Sequence, residues 1–132
     1  MTACGVWLTR RGLVAVIVEG PGRPRTLRLA DTSEARRALA LHLADARAHL
    51  VVDEALLEAD PIATQAIRVG VTVWVAGAPL LTSLRAAAGI TGGAARPSAA
   101  LLARLPAIPW LREKLRRLEL EPADDPRQIS LL

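Results

Sequence analysis

The chain has few of the residues that mark several protein classes. Phe and Tyr are absent, and Trp7, Trp74 and Trp110 are the only aromatic residues among 132. Single-strand-binding modules stack bases on exposed aromatic rings, so this composition disfavours such a module. The lone cysteine, Cys4, excludes an internal disulfide, and one Cys with two distant His residues does not make a zinc site.

Long apolar runs and targeting signals are also missing. The longest aliphatic run covers residues 13–18 and is far too short to cross a bilayer. The first residues do not combine a basic segment, an apolar stretch and a cleavage site. We therefore expect a cytoplasmic protein with no membrane contact.

The residues that are abundant predict one aliphatic domain with an uneven charge. Hydrophobic residues make up 52% of the chain, which is enough for a core of Leu, Val, Ile and Ala. The net charge is +4, and residues 61–117 hold seven Arg and Lys114 against Glu113 alone. This balance suits a nucleic-acid neighbour, but the arginine bias of a GC-rich genome would produce it equally well.

The first half of the chain predicts three strands and a helix. Residues 5–9 and 13–19 are apolar strands joined by a tight turn at Gly12, and residues 25–30 alternate as a third strand. Asp31, Thr32 or Ser33 then caps a helix that extends to residue 46. Its predicted apolar face is formed by Ala35, Leu39, Leu43 and Ala46.

The second half predicts two more strands, each followed by a helix. The strands cover residues 49–54 and 71–76, and Asp60 caps the helix that lies between them and ends at Gly70. Further helices are predicted over residues 80–88, 98–105 and 109–120. The last would place Leu111, Leu115 and Leu118 on one face and its cations elsewhere, namely Arg112, Lys114, Arg116 and Arg117.

The position of each tryptophan predicts its environment. Trp7 and Trp74 lie in predicted strands, and we expect them in the core. Trp110 follows a proline at the start of a helix, and we expect it to be partly exposed.

The predicted order is β-β-β-α-β-α-β-α, an antiparallel meander followed by crossovers that add parallel strands. This order is typical of an α/β RNase H-like fold with a five-stranded mixed sheet and helices on both faces. We expect this domain at residues 1–118 and a flexible tail at residues 119–132. A flavodoxin-like sheet is the alternative, but the short connection at residues 10–12 disfavours it, because parallel strands need long crossovers.

Several segments over roughly residues 3–105 resemble, in order, the N-terminal RuvC-like domain of the DEDD transposases. They read "GVWLT", "LVVDEALL", "GVTVWVA" and "AARPSAALLARL". That family has an Asp in its first strand, an acid at the end of its fourth strand and two Asp residues in the late segment. The resemblance implies that these carboxylates hold two magnesium ions for phosphodiester chemistry.

The carboxylates of that family are mostly replaced in this chain. Trp7 stands at the first Asp position and Ala95 and Ser98 stand at the late ones, so only Glu54, with Asp53 beside it, remains. One acid does not hold a metal pair. We therefore expect no catalytic residue, no metal and no cofactor, with Glu54 and Asp53 as the residual catalytic candidates. The alternative is that these two acids form a solvated strand end that caps a helix.

Residues 128–132, "QISLL", resemble the peptide by which bacterial DNA polymerases and mismatch-repair proteins bind the sliding clamp. The resemblance implies that Gln128 hydrogen-bonds at the rim of the clamp cleft and that Leu131 and Leu132 fill its apolar pocket. Ile129 would make a lesser contact and Ser130 would be a spacer. The preceding "EPADDPR" has two prolines and three acids, which predicts a tether. The alternative is that Leu131 and Leu132 fold back onto their own domain.

Together these features predict a non-catalytic, nucleoid-associated adaptor of DNA replication, repair or lesion bypass. Its domain would bind a DNA polymerase or a repair protein, and DNA is a candidate partner of Arg112, Lys114, Arg116 and Arg117. One alternative is a metal-dependent nuclease or transposase-like domain that acts on DNA and uses Glu54 with acids not aligned above. Another is a stand-alone structural or toxin-partner domain.

Overall fold

The computed structural model describes residues 1–119, so most of the predicted tail lies outside it. One six-stranded sheet has the order β3-β2-β1-β4-β5-β6. The strands are β1 Thr2–Thr9, β2 Gly12–Glu19, β3 Arg25–Ala30, β4 His49–Asp53, β5 Thr72–Ala76 and β6 Arg116–Arg117. The helices are α1 Ser33–Asp45, α2 Glu54–Ala59, α3 Ile62–Arg68, α4 Ala78–Ala87, α5 Ala95–Arg104 and α6 Pro109–Arg112, with a 3₁₀ turn at Leu105–Ala107.

The sheet is mixed, as the element order predicts. Strands β1, β2 and β3 form an antiparallel meander, and β4 and β5 continue the sheet parallel to β1. Gly12 has a φ of +128° at the turn between β1 and β2, and a Cβ there would lie 2.2 Å from the carbonyl oxygen of Leu29. Only glycine fits this turn, because both the backbone angle and the close neighbour exclude a side chain.

The sheet has six strands, so the prediction of five is wrong. The helix predicted over residues 109–120 ends at Arg112, and Arg116 and Arg117 instead pair antiparallel with Val75 and Trp74. The backbone N–H of Leu118 also donates to the carbonyl oxygen of Val73 at 2.9 Å. The free edge of β5 offers backbone partners to this segment, and pairing with them outweighs its helix propensity.

Two further differences from the predicted elements concern α2 and α1. The sequence pattern does not predict α2, which has six residues, because periodicity needs a longer window. In α1 the N-cap is Thr32, one of the three predicted candidates, and its side chain accepts the N–H of Ala35 at 3.1 Å. The buried face of α1 includes Arg36, whereas the predicted Ala46 is exposed.

Helices α1, α2 and α3 cover one face of the sheet around a buried ion pair. Asp60 accepts two hydrogen bonds from Arg36 Nε, at 2.9 and 3.0 Å, and one from Arg36 Nη2 at 2.6 Å. Asp60 also accepts the N–H of Ile62 at 2.9 Å, at the start of α3. Hydrogen bonding to Asp60 raises the pKa of the Arg36 guanidinium. This pair therefore ties α1 to α3.

Helices α4, α5 and α6 cover the other face. Gly5 lets α5 approach β1 directly, because a Cβ at Gly5 would lie 1.9 Å from the carbonyl oxygen of Ala99. The core of this layer is formed by Val51, Ala76, Leu81, Leu102, Leu105, Leu111 and Leu115. Within residues 1–119, no helix has both the length and the apolar character needed to cross a membrane.

Candidate functional site

The carboxyl ends of the parallel strands β1, β4 and β5 lie side by side, and the edge of the sheet that they form holds the candidate site. Gly5 of β1 lies opposite Val51 of β4. Two residues further along these parallel strands, Trp7 and Asp53 therefore project from the same face at this edge. Helix α5 begins beside them, so this edge is where the resemblance to the DEDD domain places its acidic residues.

An arginine from α4 occupies this edge. Arg85 Nε donates to Ser98 Oγ at 3.2 Å, and its guanidinium carbon lies 5.1 Å from the centroid of the Trp7 ring. Arg85 Nη2 also donates to the carbonyl oxygen of Gly92. Ser98 Oγ donates in turn to the carbonyl oxygen of Ala94 at 2.7 Å. We call Trp7, Arg85 and Ser98 the Arg85 cluster.

The two residual acids bind groups other than Arg85. Asp53 Oδ1 accepts the N–H of Leu56 at 3.0 Å and so caps α2. Glu54 is the first residue of α2, and its Oε1 lies 3.4 Å from Arg116 Nη2 in a pair whose side chains are 44% and 53% exposed. An ion pair this open to water contributes little to stability.

The cluster carries donors but no converging acids. Ala95, the first residue of α5, contributes only a methyl group at its position. Across residues 1–119, no three His, Cys, Asp or Glu side chains stand close enough together to hold a metal ion. The chemistry available here is hydrogen-bond donation and positive charge.

The four cations of the predicted last helix occupy different elements in the structure. Arg112 is on α6, Lys114 follows it in a turn, and Arg116 and Arg117 are neighbours on β6. Neighbouring residues of a strand point to opposite faces, so these cations do not form one helical surface.

Arg112 and Arg117 lower the pKa of His49, which lies at the start of β4, at the end of the sheet opposite the Arg85 cluster. Trp74 Nε1 donates to His49 Nδ1 at 2.9 Å, and the two rings stack with centroids 6.2 Å apart. Burial lowers the pKa of His49 below its ordinary 6.5, and the charges of Arg112 and Arg117 lower it further. His49 is therefore mostly neutral at pH 7. Trp7 and Trp74 are half-buried rather than sealed in the core, and Trp110 is 61% exposed.

The predicted clamp-binding residues, Gln128, Ile129, Ser130, Leu131 and Leu132, lie outside the described residues.

Solved structures of Thermus thermophilus RuvC are similar to this chain. One, described as RuvC in complex with a Holliday junction substrate, superimposes with a TM-score of 0.56 and 16% identity and covers 89% of this chain and 99% of that chain. Another RuvC structure gives a TM-score of 0.50 and 16% identity and covers 89% of this chain and 100% of that chain. The chain has the RNase H-like fold. No family model and no curated protein matches the sequence.

Sequence reasoning about the RNase H-like fold missed Arg85. The helix that carries it is predicted, but an arginine among small and aliphatic residues, "LLTSLRAAAG", belongs to no motif. Its role depends on the connection between α4 and α5, which returns the chain so that Ser98 meets Arg85. Position in the fold, not local sequence, identifies this residue.

Proposed function

We propose that this protein is a non-catalytic adaptor of DNA replication, repair or lesion bypass that docks on the sliding clamp through residues 128–132. Its RNase H-like domain binds a polymerase or repair protein and does not cut DNA. Two independent features support the two halves of this proposal, namely the Arg85 cluster and the "QISLL" segment.

The Arg85 cluster supports the loss of catalysis. Magnesium pairs need several converging oxygen ligands, usually carboxylates. Here an indole, a methyl group and a serine hydroxyl stand at the family's Asp positions, and the guanidinium of Arg85 contacts two of these three residues. A fixed positive charge also repels a divalent cation. These residues do not fit the metal pair.

The "QISLL" segment supports clamp docking. Burial of Ile129, Leu131 and Leu132 would contribute roughly 5–8 kcal/mol before other terms. Ordering the segment and losing free motion offset much of this gain, which leaves a dissociation constant of about micromolar. Such affinity suits a contact that is made and released repeatedly.

The decisive experiment measures binding of a purified bacterial sliding clamp to the full chain by calorimetry. A variant that ends at Arg127 should lose all measurable binding, and Leu131→Ala should lose most of it, because the pocket contact is removed. Ser130→Ala is the matched control and should bind as the full chain does. Equal affinity of the full chain and the shortened variant would end the clamp proposal.

A nuclease assay tests the proposal that the domain does not cut DNA. The full chain should leave linear and branched DNA intact with either magnesium or manganese. Metal-dependent nicking that Glu54→Gln abolishes would replace the adaptor with the nuclease alternative.

A further inference from the structure

Strand β3 forms one edge of the sheet in the described part of the chain. On one side it pairs antiparallel with β2 over its whole length. Beyond that ladder, the one backbone–backbone hydrogen bond of β3 within residues 1–119 is accepted by the Ala30 carbonyl oxygen from the Thr32 N–H, at 2.8 Å. Alternate N–H and C=O groups of an edge strand point away from its neighbour, so β3 offers a template for one further strand.

An apolar groove of about 280 Å³ lies beside this edge, between β3 and α1. We define the β3 groove by its lining residues, which are Leu27, Arg28, Leu29, Ala35, Ala38, Leu39 and His42. The Leu27 side chain is 38% exposed. Leu27 and Leu29 stand two residues apart on the strand, so both point to the same face. A neighbouring strand presents its side chains to that face with the same spacing.

The surroundings of the β3 groove are positively charged. Residues 20–30 contain three arginines and no acid. Arg28 lines the groove itself, and Arg25 Nη2 lies 3.5 Å from Nε2 of His42, another lining residue. Arg28 also shares a second cavity with Arg11. The ion pairs of the described residues lie elsewhere, so these arginines are left to attract carboxylates.

We propose that the β3 groove binds an extended acidic segment of a partner protein, which adds to β3 as a further strand. The segment pairs its backbone with the free edge of β3 and places alternate aliphatic side chains beside Leu27 and Leu29. Its carboxylates pair with Arg25 and Arg28. A second copy of this chain does not suit the edge, because β3 against β3 would bring the arginines of both strands together. A nucleic-acid strand has no peptide backbone that could continue the sheet.

This groove gives the domain of the proposed adaptor a surface for its protein partner, and in that respect the inference rests on the proposed function. It is separate from clamp docking, which uses residues 128–132. It also lies apart from the Arg85 cluster, since that cluster is formed by β1, α4 and α5.

The test measures fluorescence anisotropy of a labelled heptapeptide, in which glutamate and valine alternate, with the full chain. Leu27→Ser should weaken binding about 3- to 10-fold, because part of an apolar contact is lost. Arg28→Ala should weaken it about 2- to 5-fold, and this effect should shrink as salt is added. Leu41→Ser and Arg37→Ala are the matched controls, because both residues are exposed on α1 and neither lines the groove. They should leave the affinity unchanged.

Strand addition has a signature that charge attraction alone does not produce. Binding should slow the hydrogen exchange of those β3 amides whose N–H groups face away from β2, and it should leave the amides of β5 unchanged. A peptide of the same composition, with its valines grouped at one end, should bind more weakly. It carries the same charge but cannot place alternate aliphatic side chains in the groove.

Three results would overturn the proposal. The first is equal affinity for the two peptides, including the absence of binding by either. The second is a dimer of the free chain in sedimentation that Leu27→Ser dissociates, which would make a second copy the occupant. The third is β3 amides that are protected in the free chain and lose this protection on Glu121→Gln, Asp124→Asn and Asp125→Asn together, which would make this chain's own acidic segment the occupant.

The peptide assay contains neither clamp nor DNA. Its failure would therefore leave clamp docking and the absence of DNA cleavage standing, and the loss of clamp binding would leave the β3 groove standing.

Discussion

Two arginines, one on each face of the sheet, hold helices in place by different means. Arg36 is buried, and its charge is compensated by Asp60 and by the exposed Asp31, 2.7 Å from Arg36 Nη2. Arg85 is half-buried, and its contacts in the described structure are an aromatic ring, a hydroxyl and a backbone carbonyl. The first guanidinium is neutralised where it lies. The second keeps its positive charge at the carboxyl ends of the parallel strands, among neutral groups.

The two sites show that a partly or fully buried arginine can be held either by carboxylates or by neutral groups. On the α1 face, removing the carboxylate leaves an unpaired buried charge, so both partners depend on each other. On the α4 face, removing the guanidinium leaves only neutral groups behind. The charge on the α1 face is therefore paired with carboxylates, whereas the charge on the α4 face is held by neutral groups.

Asp60→Ala should have the largest effect. It leaves the Arg36 guanidinium buried without its main partner and removes the acceptor of the Ile62 N–H at the start of α3, so we expect a loss of about 3–5 kcal/mol in the free energy of unfolding. Urea unfolding followed by circular dichroism measures this loss. The control is Asp31→Asn, which should cost less than about 1 kcal/mol, because the Asp31 side chain is 68% exposed. A small effect of Asp60→Ala would remove the distinction between the two arginines.

Arg85→Met should have an intermediate effect. The aliphatic part of the side chain is kept, while the cation–π contact and the hydrogen bonds to Ser98 and Gly92 are lost, at a cost of about 1–2 kcal/mol. The same urea experiment applies. Arg96→Met, an exposed arginine on α5, is the control and should stay within about 0.5 kcal/mol of the unchanged chain. A cost equal to that of Asp60→Ala would mean that Arg85 has a buried anionic partner.

The pH dependence contributed by His49 should be the smallest effect. Its folded pKa lies below the ordinary 6.5, so the unfolded chain binds more protons below that pH. Stability is then full above about pH 6.5 and falls as the pH drops toward the lowered value. Nuclear magnetic resonance titration of His49 measures the pKa, and His49→Gln should remove this part of the pH dependence. A titration midpoint at or above 6.5 would contradict the lowering of the His49 pKa by burial and by the charges of Arg112 and Arg117.

Much of the fold follows from local patterns, and the exceptions have long-range causes. The turn at Gly12, the cap at Thr32 and the buried strand before Asp53 are each specified by a few neighbouring residues. Strand β6 could not be predicted this way, because the Leu spacing of residues 111–118 fits a helix. Its strand depends on the free edge of β5, which is distant in sequence.

The sequence predicted where the candidate site lies in the fold, but it did not predict that Arg85 occupies it. The positions of Trp7, Ala95 and Ser98 follow from the ordered segments of the sequence, and the structure brings Trp7 and Ser98 to one guanidinium. Arg85 itself could not be found, since nothing near it in sequence marks a contact with Trp7. Likewise, the partners of Asp53 and Glu54, namely the N–H of Leu56 and Arg116, are set by how α2 and β6 pack.

The hydrogen bond from Leu118 to Val73 has a mechanical consequence for the proposed adaptor. It holds the chain to the sheet at residue 118, so the described part of the chain ends beside β5. The nine residues from 120 to 128 can stretch to about 30 Å at most. If residues 128–132 bind the clamp as proposed, the domain would therefore stay within about 30 Å of the binding cleft, close to the rim of the ring and the DNA that leaves it.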